Sequence, residues 1–123
     1  MTDNAMPVIG IYASATVSNF DAALVWYEAL MGRPADDQPI PGMAQWRNMG
    51  GAGLQLWQDQ GRAGKGLMTI VVPDLAAEKA RLAAHGMEVI NEAKGNFGAV
   101  GQIFDAEGNR INLNEPPRGF VDR

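Results

Sequence analysis

Residues 9–32 read IGIYASATVSNFDAALVWYEALMG and change period halfway along. Ile9, Ile11, Ala13, Ala15 and Val17 are apolar at every second position, with Gly10, Tyr12, Ser14 and Thr16 between them, the pattern of a strand with one covered face. From Phe20 the apolar residues recur at three- and four-residue steps, through Ala23, Leu24, Tyr27, Leu30 and Met31, which predicts a helix. Ser18-Asn19, with Asp21 three residues beyond Ser18, gives the start signal and Gly32 the stop. A weaker copy opens the second half: a strand from Met68 to Val72, a cap at Asp74, a helix to Ala84 and a stop at Gly86. The chain reads as a duplication.

Working outward, residues 33–42 hold Pro34, Pro39 and Pro41 beside the acidic pair Asp36-Asp37, and predict a short irregular strand or a solvated surface loop able to act as a lid. Met43 to Met49 and Gly53 to Gln58 read as two strands of a hairpin turned by Gly50-Gly51. Residues 60–66, with Gly61, Gly64 and Gly66, predict a flexible connection. The second half adds strands at 87–91, 99–105 and 110–114, a turn at 96–98, a tight turn over Asp105 to Asn109, and a loosely held tail from Pro116. Gly51 and Gly108, Gln55 and Asn112, and Leu56 and Leu113 are each 57 residues apart, and the caps Asn19 and Asp74 are 55 apart. The expectation is an α+β fold. Two βαβββ modules, at about 8–60 and 66–115, form curved mixed or antiparallel sheets in a single domain, with a tail over 116–123.

Composition narrows the function classes. The 123 residues carry a formal net charge of −4, and the ten basic residues are scattered, which argues against a nucleic-acid or anionic-membrane partner. With no cysteine there is no disulfide framework and no thiolate chemistry. The first residues lack the features of an export signal, and no apolar run approaches the roughly 20 residues of a spanning helix, so a cytoplasmic location is expected.

Alternation also assigns faces. If Ile11, Ala13, Leu54, Leu56, Ile111 and Leu113 meet the helices, then Tyr12, Ser14, Gln55, Trp57, Arg110 and Asn112 lie on the opposite side. That face is too polar for a core and too aromatic for a plain solvated surface, and it predicts a pocket. Trp46 and Trp57, on neighbouring strands, are read as a pair able to stack a planar ligand, or else to pack across a subunit interface. Trp26 is read as a core or dimer contact, His85 as a structural residue at a helix end, and Arg47 and Arg110 as surface arginines able to pair with an anion.

The segment Trp26-Tyr27-Glu28-Ala29-Leu30-Met31-Gly32, the turn Asp105-Ala106-Glu107-Gly108-Asn109 and the duplication together resemble the vicinal oxygen chelate superfamily, which includes glyoxalase I, extradiol dioxygenases and bleomycin-resistance proteins. The resemblance covers about residues 8–115 and implies paired modules curving around a cavity, with the helices outside, in a homodimer. It puts the superfamily's metal ligands at Tyr12, Gln55, Met68 and Asn112, of which only Gln55 is a plausible donor. The chain is therefore closest in character to metal-free bleomycin-resistance-like members. The expected function is sequestration of a small, partly aromatic ligand by Tyr12, Ser14, Trp46, Gln55, Trp57, Met68, Gln102, Phe104 and Asn112, with no metal, no cofactor and no catalytic residue assigned. The alternatives are a lyase, isomerase or dioxygenase with a non-standard site, and an interaction module whose concave face is filled by a partner chain.

Overall fold

The computed structural model describes residues 5–117. Within them the chain forms β1 (Tyr12–Val17), α1 (Phe20–Met31), β2 (Asp37–Ile40), β3 (Met43–Met49), β4 (Ala52–Gln58), β5 (Leu67–Val71), α2 (Leu75–Ala83), β6 (Ile90–Gly95), β7 (Gly98–Phe104) and β8 (Arg110–Glu115). The strands build two four-stranded sheets of the same plan, ordered β1-β4-β3-β2 and β5-β8-β7-β6. In each, the strand before the helix pairs parallel with the last strand of its module, and the other pairings are antiparallel. A parallel pair needs a long crossover, and the helix and following strands supply it. The fold is α+β, made of two βαβββ modules whose sheets are curved and not closed.

The helices begin and end where their caps require. The Asn19 side chain accepts from the backbone N–H of Ala22 at 3.3 Å, and Gly32 closes α1 in the left-handed region at φ 75°, its N–H reaching the Glu28 carbonyl. Asp74 caps α2 through Ala77 at 3.1 Å. Both helices pack on one side of the sheets in a single core. Ala15, Val17, Trp46, Leu54 and Leu56 meet Tyr27 and Leu30 there, and Met68, Ile103, Ile111 and Leu113 meet Leu75 and Leu82. Each fully buried large apolar side chain contributes about 1.5–3 kcal/mol.

The second module grips α1 along its whole length. At its start, the Glu107 carboxylate accepts from Ser18 N–H (2.7 Å), Ser18 Oγ (2.8 Å) and Asn19 N–H (3.0 Å). At its end, Arg81 of α2 donates to the carbonyls of Ala29 (2.8 Å) and Leu30 (2.6 Å). Between them the Tyr27 hydroxyl donates to Asp105 Oδ2 at 2.8 Å. Acid stands at the positive end of the helix and base at the negative end, as the macrodipole favours.

Several expectations need correction. β1 starts at Tyr12, not Ile9, because its pairing with β4 begins at Tyr12 opposite Gly53, whose N–H reaches the Ile11 carbonyl; Ile9 and Ile11 are exposed instead of covered. The second strand of the second module, β6, begins at Ile90, although Met87 and Val89 ahead of it are buried. Asp36 and Asp37 are not a free solvated pair. Asp36 accepts from Arg33 and from the backbone N–H of Arg47, and Asp37 faces Arg47 Nε at 3.6 Å, tying β2 to β3. The connection over 60–66 is pinned, not loose: Thr16 Oγ1 donates to the Arg62 carbonyl, and Gly66 N–H donates to Asn109 Oδ1. At Gly64 a Cβ would stand 2.1 Å from the Glu107 carbonyl oxygen, so only glycine fits that approach. Of the predicted tail, residues 118–123 lie outside the described residues.

Candidate ligand-binding face

Each sheet has a face turned away from the helices, here the open face. The strand registers assign its residues. In the first sheet Tyr12, Ser14 and Thr16 of β1 lie opposite Gly53, Gln55 and Trp57 of β4, which in turn lie beside Gln45 and Met43 of β3. In the second, Leu67, Thr69 and Val71 of β5 lie opposite Arg110, Asn112 and Asn114 of β8, which lie beside Phe104, Gln102 and Val100 of β7. Seven of the nine expected site residues share this face: Tyr12, Ser14, Gln55, Trp57, Gln102, Phe104 and Asn112.

Trp46 and Met68 do not. Trp46 pairs with Leu54 and is fully buried among the core residues, its Nε1 donating to the Arg33 carbonyl at 3.0 Å. It therefore cannot stack with Trp57, which points to the other side. Met68 pairs with Ile111 and is also a core residue. Its neighbour in β5, Leu67, is on the open face instead and is 62% exposed. Carrying Tyr12 forward by the 55-residue spacing of the two helix caps lands on Leu67, so the sequence held the signal.

The polar groups of the open face are tied to one another. Trp57 Nε1 donates to Gln55 Oε1 (3.0 Å), and Gln55 Nε2 donates to Gln45 Oε1 (3.1 Å). In the second sheet Arg110 Nε donates to Asn112 Oδ1 (3.1 Å), and Asn112 Nδ2 donates to Thr69 Oγ1 (3.2 Å). Gln102 Oε1 accepts from Asn91 Nδ2 at 2.8 Å. The Tyr12 ring lies across Gly53, where a Cβ would meet it at 2.4 Å. Met43 is buried on this side without joining the core, opposite Trp57. Gln45, Met43 and Thr69 are additions that the strand registers bring to the face.

Two pockets among the described residues lie elsewhere. One of about 250 Å³ runs between the start of α1 and the turn after β7, lined by Val17, Ala22, Trp26 and Ala106 among others. A second, also about 250 Å³, lies where the β3–β4 turn meets β5 and includes Ala13, Met49, Leu54 and Met68. Neither is lined by Tyr12, Gln55, Trp57 or Asn112, and the expected cavity is an open surface in one chain.

Comparison with protein-family models and with curated proteins finds no match. Comparison with solved structures does. The fold superposes on a glyoxalase/bleomycin resistance protein from Catenulispora acidiphila with a TM-score of 0.82 and 27% identity, over 89% of this chain and 100% of that one. The chain has the fold of the vicinal oxygen chelate superfamily. An antibiotic-binding protein from a Streptomyces species (TM-score 0.76, 24% identity, 90% and 98% of the two chains) shares the fold. So does a lactoylglutathione lyase from Agrobacterium tumefaciens (TM-score 0.72, 19% identity, 94% and 99%).

For a vicinal oxygen chelate protein the donor set does not suit a metal. At the four positions where the resemblance implies ligands, with Leu67 in the place read as Met68, stand Tyr12, Gln55, Leu67 and Asn112, an oxygen-amide set with one hydrocarbon and no imidazole or carboxylate. Among the described residues no group of three or more His, Cys, Asp or Glu is placed to hold an ion. The described residues also include no helix long and apolar enough to cross a membrane.

Proposed function

We propose that this protein is a cytoplasmic, metal-free binder that sequesters a small, partly aromatic molecule on its open face, with a second copy closing the groove. One observation carries the reading. The parallel strand pairs β1–β4 and β5–β8 present Tyr, Ser, Thr, Gln, Trp, Leu, Val, Arg, Asn and Gly to that face, and no carboxylate or imidazole. Such a surface offers aromatic contact and amide hydrogen bonding, the makings of recognition, and lacks the usual groups for proton transfer near neutral pH. Other proteins with this fold are named for antibiotic binding and for bleomycin resistance, which supports ligand capture as the reading.

Two titrations test the proposal. Planar aromatic compounds should quench or shift tryptophan fluorescence saturably. Chelator-treated protein mixed with Fe(II), Mn(II), Co(II), Ni(II) or Zn(II) should show no saturable gain in melting temperature. A cognate ion at about a hundred times its dissociation constant would add about 2.7 kcal/mol of stability, a shift large enough to read. A saturable shift with one ion would overturn the metal-free reading and favour a lyase, isomerase or dioxygenase.

A further inference from the structure

The open face of the second sheet carries a charge with no carboxylate partner among the described residues. Arg33, Arg47, Arg62 and Arg81 each face a carboxylate within ion-pair distance, whereas Arg110 has none among the described residues. Its surroundings do not resemble an ordinary exposed arginine. Its cross-strand neighbours on the same face are Leu67 on one side and Phe104 on the other, 62% and 41% exposed, so the register sets Arg110 between two apolar residues open to solvent. Its Nε is held at 3.1 Å by Asn112 Oδ1, and Asn112 is itself anchored to Thr69. The terminal Nη1 and Nη2 groups make no hydrogen bond within the described residues.

This arrangement suits a particular ligand chemistry. Anchoring Nε fixes the plane of the guanidinium in advance and leaves its end-on fork free, the geometry that receives a planar oxyanion through two parallel hydrogen bonds. Leu67 and Phe104 flank the fork with apolar surface, where the body of an aromatic ligand would lie and partly exclude water from the ion pair. A charge-assisted bond is strengthened by that exclusion. Resting on the aromatic-binding reading above, we infer that the ligand of this face is an aromatic anion, its carboxylate or similar oxyanion held by Arg110 and its ring by Phe104 and Leu67. The net negative charge of the chain gives such a ligand no long-range attraction, so its selection depends on this one fork at short range.

A matched pair of probes tests the inference, 2-naphthoate and its neutral amide 2-naphthamide, titrated into the whole protein by calorimetry at about 0.15 M salt, where distant charges are screened. The wild type should prefer the carboxylate by about tenfold or more. Arg110→Gln should bring the ratio close to one, and Arg110→Lys, which keeps the charge but not the fork, should retain only part of it. The melting temperature of each variant checks that it folds. Equal affinity of the wild type for both probes, with both weakened by Trp57→Ala, would overturn the anion inference and leave aromatic binding standing. Absence of binding by either probe would overturn both. Retained preference in Arg110→Gln, together with a changed oligomeric mass, would assign the guanidinium to a subunit contact and overturn the inference.

Discussion

At the scale of single residues, the side chains that matter most are those whose polar atoms have nowhere else to go. Asp105 is buried, and both its oxygens are in use. Oδ1 accepts from the N–H groups of Glu107 and Asn109, and Oδ2 accepts from the Tyr27 hydroxyl and Asn109 Nδ2. Burial, together with the negative charge and hydrogen bond of Asp105, pushes the Tyr27 hydroxyl far above the ordinary tyrosine range, so it remains a donor at all working pH values. Tyr27→Phe removes that donor and leaves a buried carboxylate oxygen short of a partner. The expected loss is about 1–3 kcal/mol in urea unfolding, with little effect on ligand affinity. On the open face Trp57→Ala should weaken an aromatic ligand by about 1–3 kcal/mol, by analogy with base stacking on aromatic side chains. An unchanged dissociation constant by fluorescence or calorimetry would remove Trp57 from the site.

Among the elements, α1 is the one whose stability is shared between the modules. Its start is capped from the second module by Glu107, whose carboxyl is held below its usual value of 4.5 by the backbone N–H groups of Asn19 and Ser18 and by the Ser18 hydroxyl. A folded-state value below the unfolded one means that the contribution is present above about pH 4.5 and is lost as the pH falls through the folded value. Glu107→Ala should therefore destabilise the protein at pH 7 by about 0.5–1 kcal/mol, a cap contribution reduced for exposure to solvent. The gap between variant and wild type should close in acid. Urea titrations at neutral and acidic pH measure both; a gap independent of pH would mean that the carboxylate charge plays no part in the cap.

In the molecule as a whole, the curved sheets leave their aromatic and amide-rich side uncovered, and the segment ahead of β1 adds Met6, Val8, Ile9 and Ile11, all more than half exposed. Four large apolar side chains within six residues favour a covered state. The second copy proposed to close the groove would provide it. Light scattering should give twice the chain mass, and Ile11→Glu should shift the equilibrium toward a single chain by placing a charge in the seam. A wild-type protein of single-chain mass at micromolar concentration would remove the second copy from the proposal.

The sequence by itself determined the parts of this protein that depend on local chemistry. The change of period at Ser18-Asn19, the caps at Asn19 and Asp74, the glycine stops and the 57-residue repeat specify two βαβββ modules, because helix and strand periods and caps are properties of neighbouring residues. Alternation also placed most of the open face, since one register fixes every second side chain of a strand. It failed where a one-residue shift reverses the face, as at Met68 against Leu67, and where neighbouring strands had to be paired before Trp46 could be assigned to the core. The tertiary structure alone decided the grip of Glu107, Asp105 and Arg81 on α1, whose partners lie some 50 to 90 residues away in the chain. It alone also set Arg110 between Leu67 and Phe104 with no carboxylate partner among the described residues, because spacing along a sequence carries no record of which distant charges will meet.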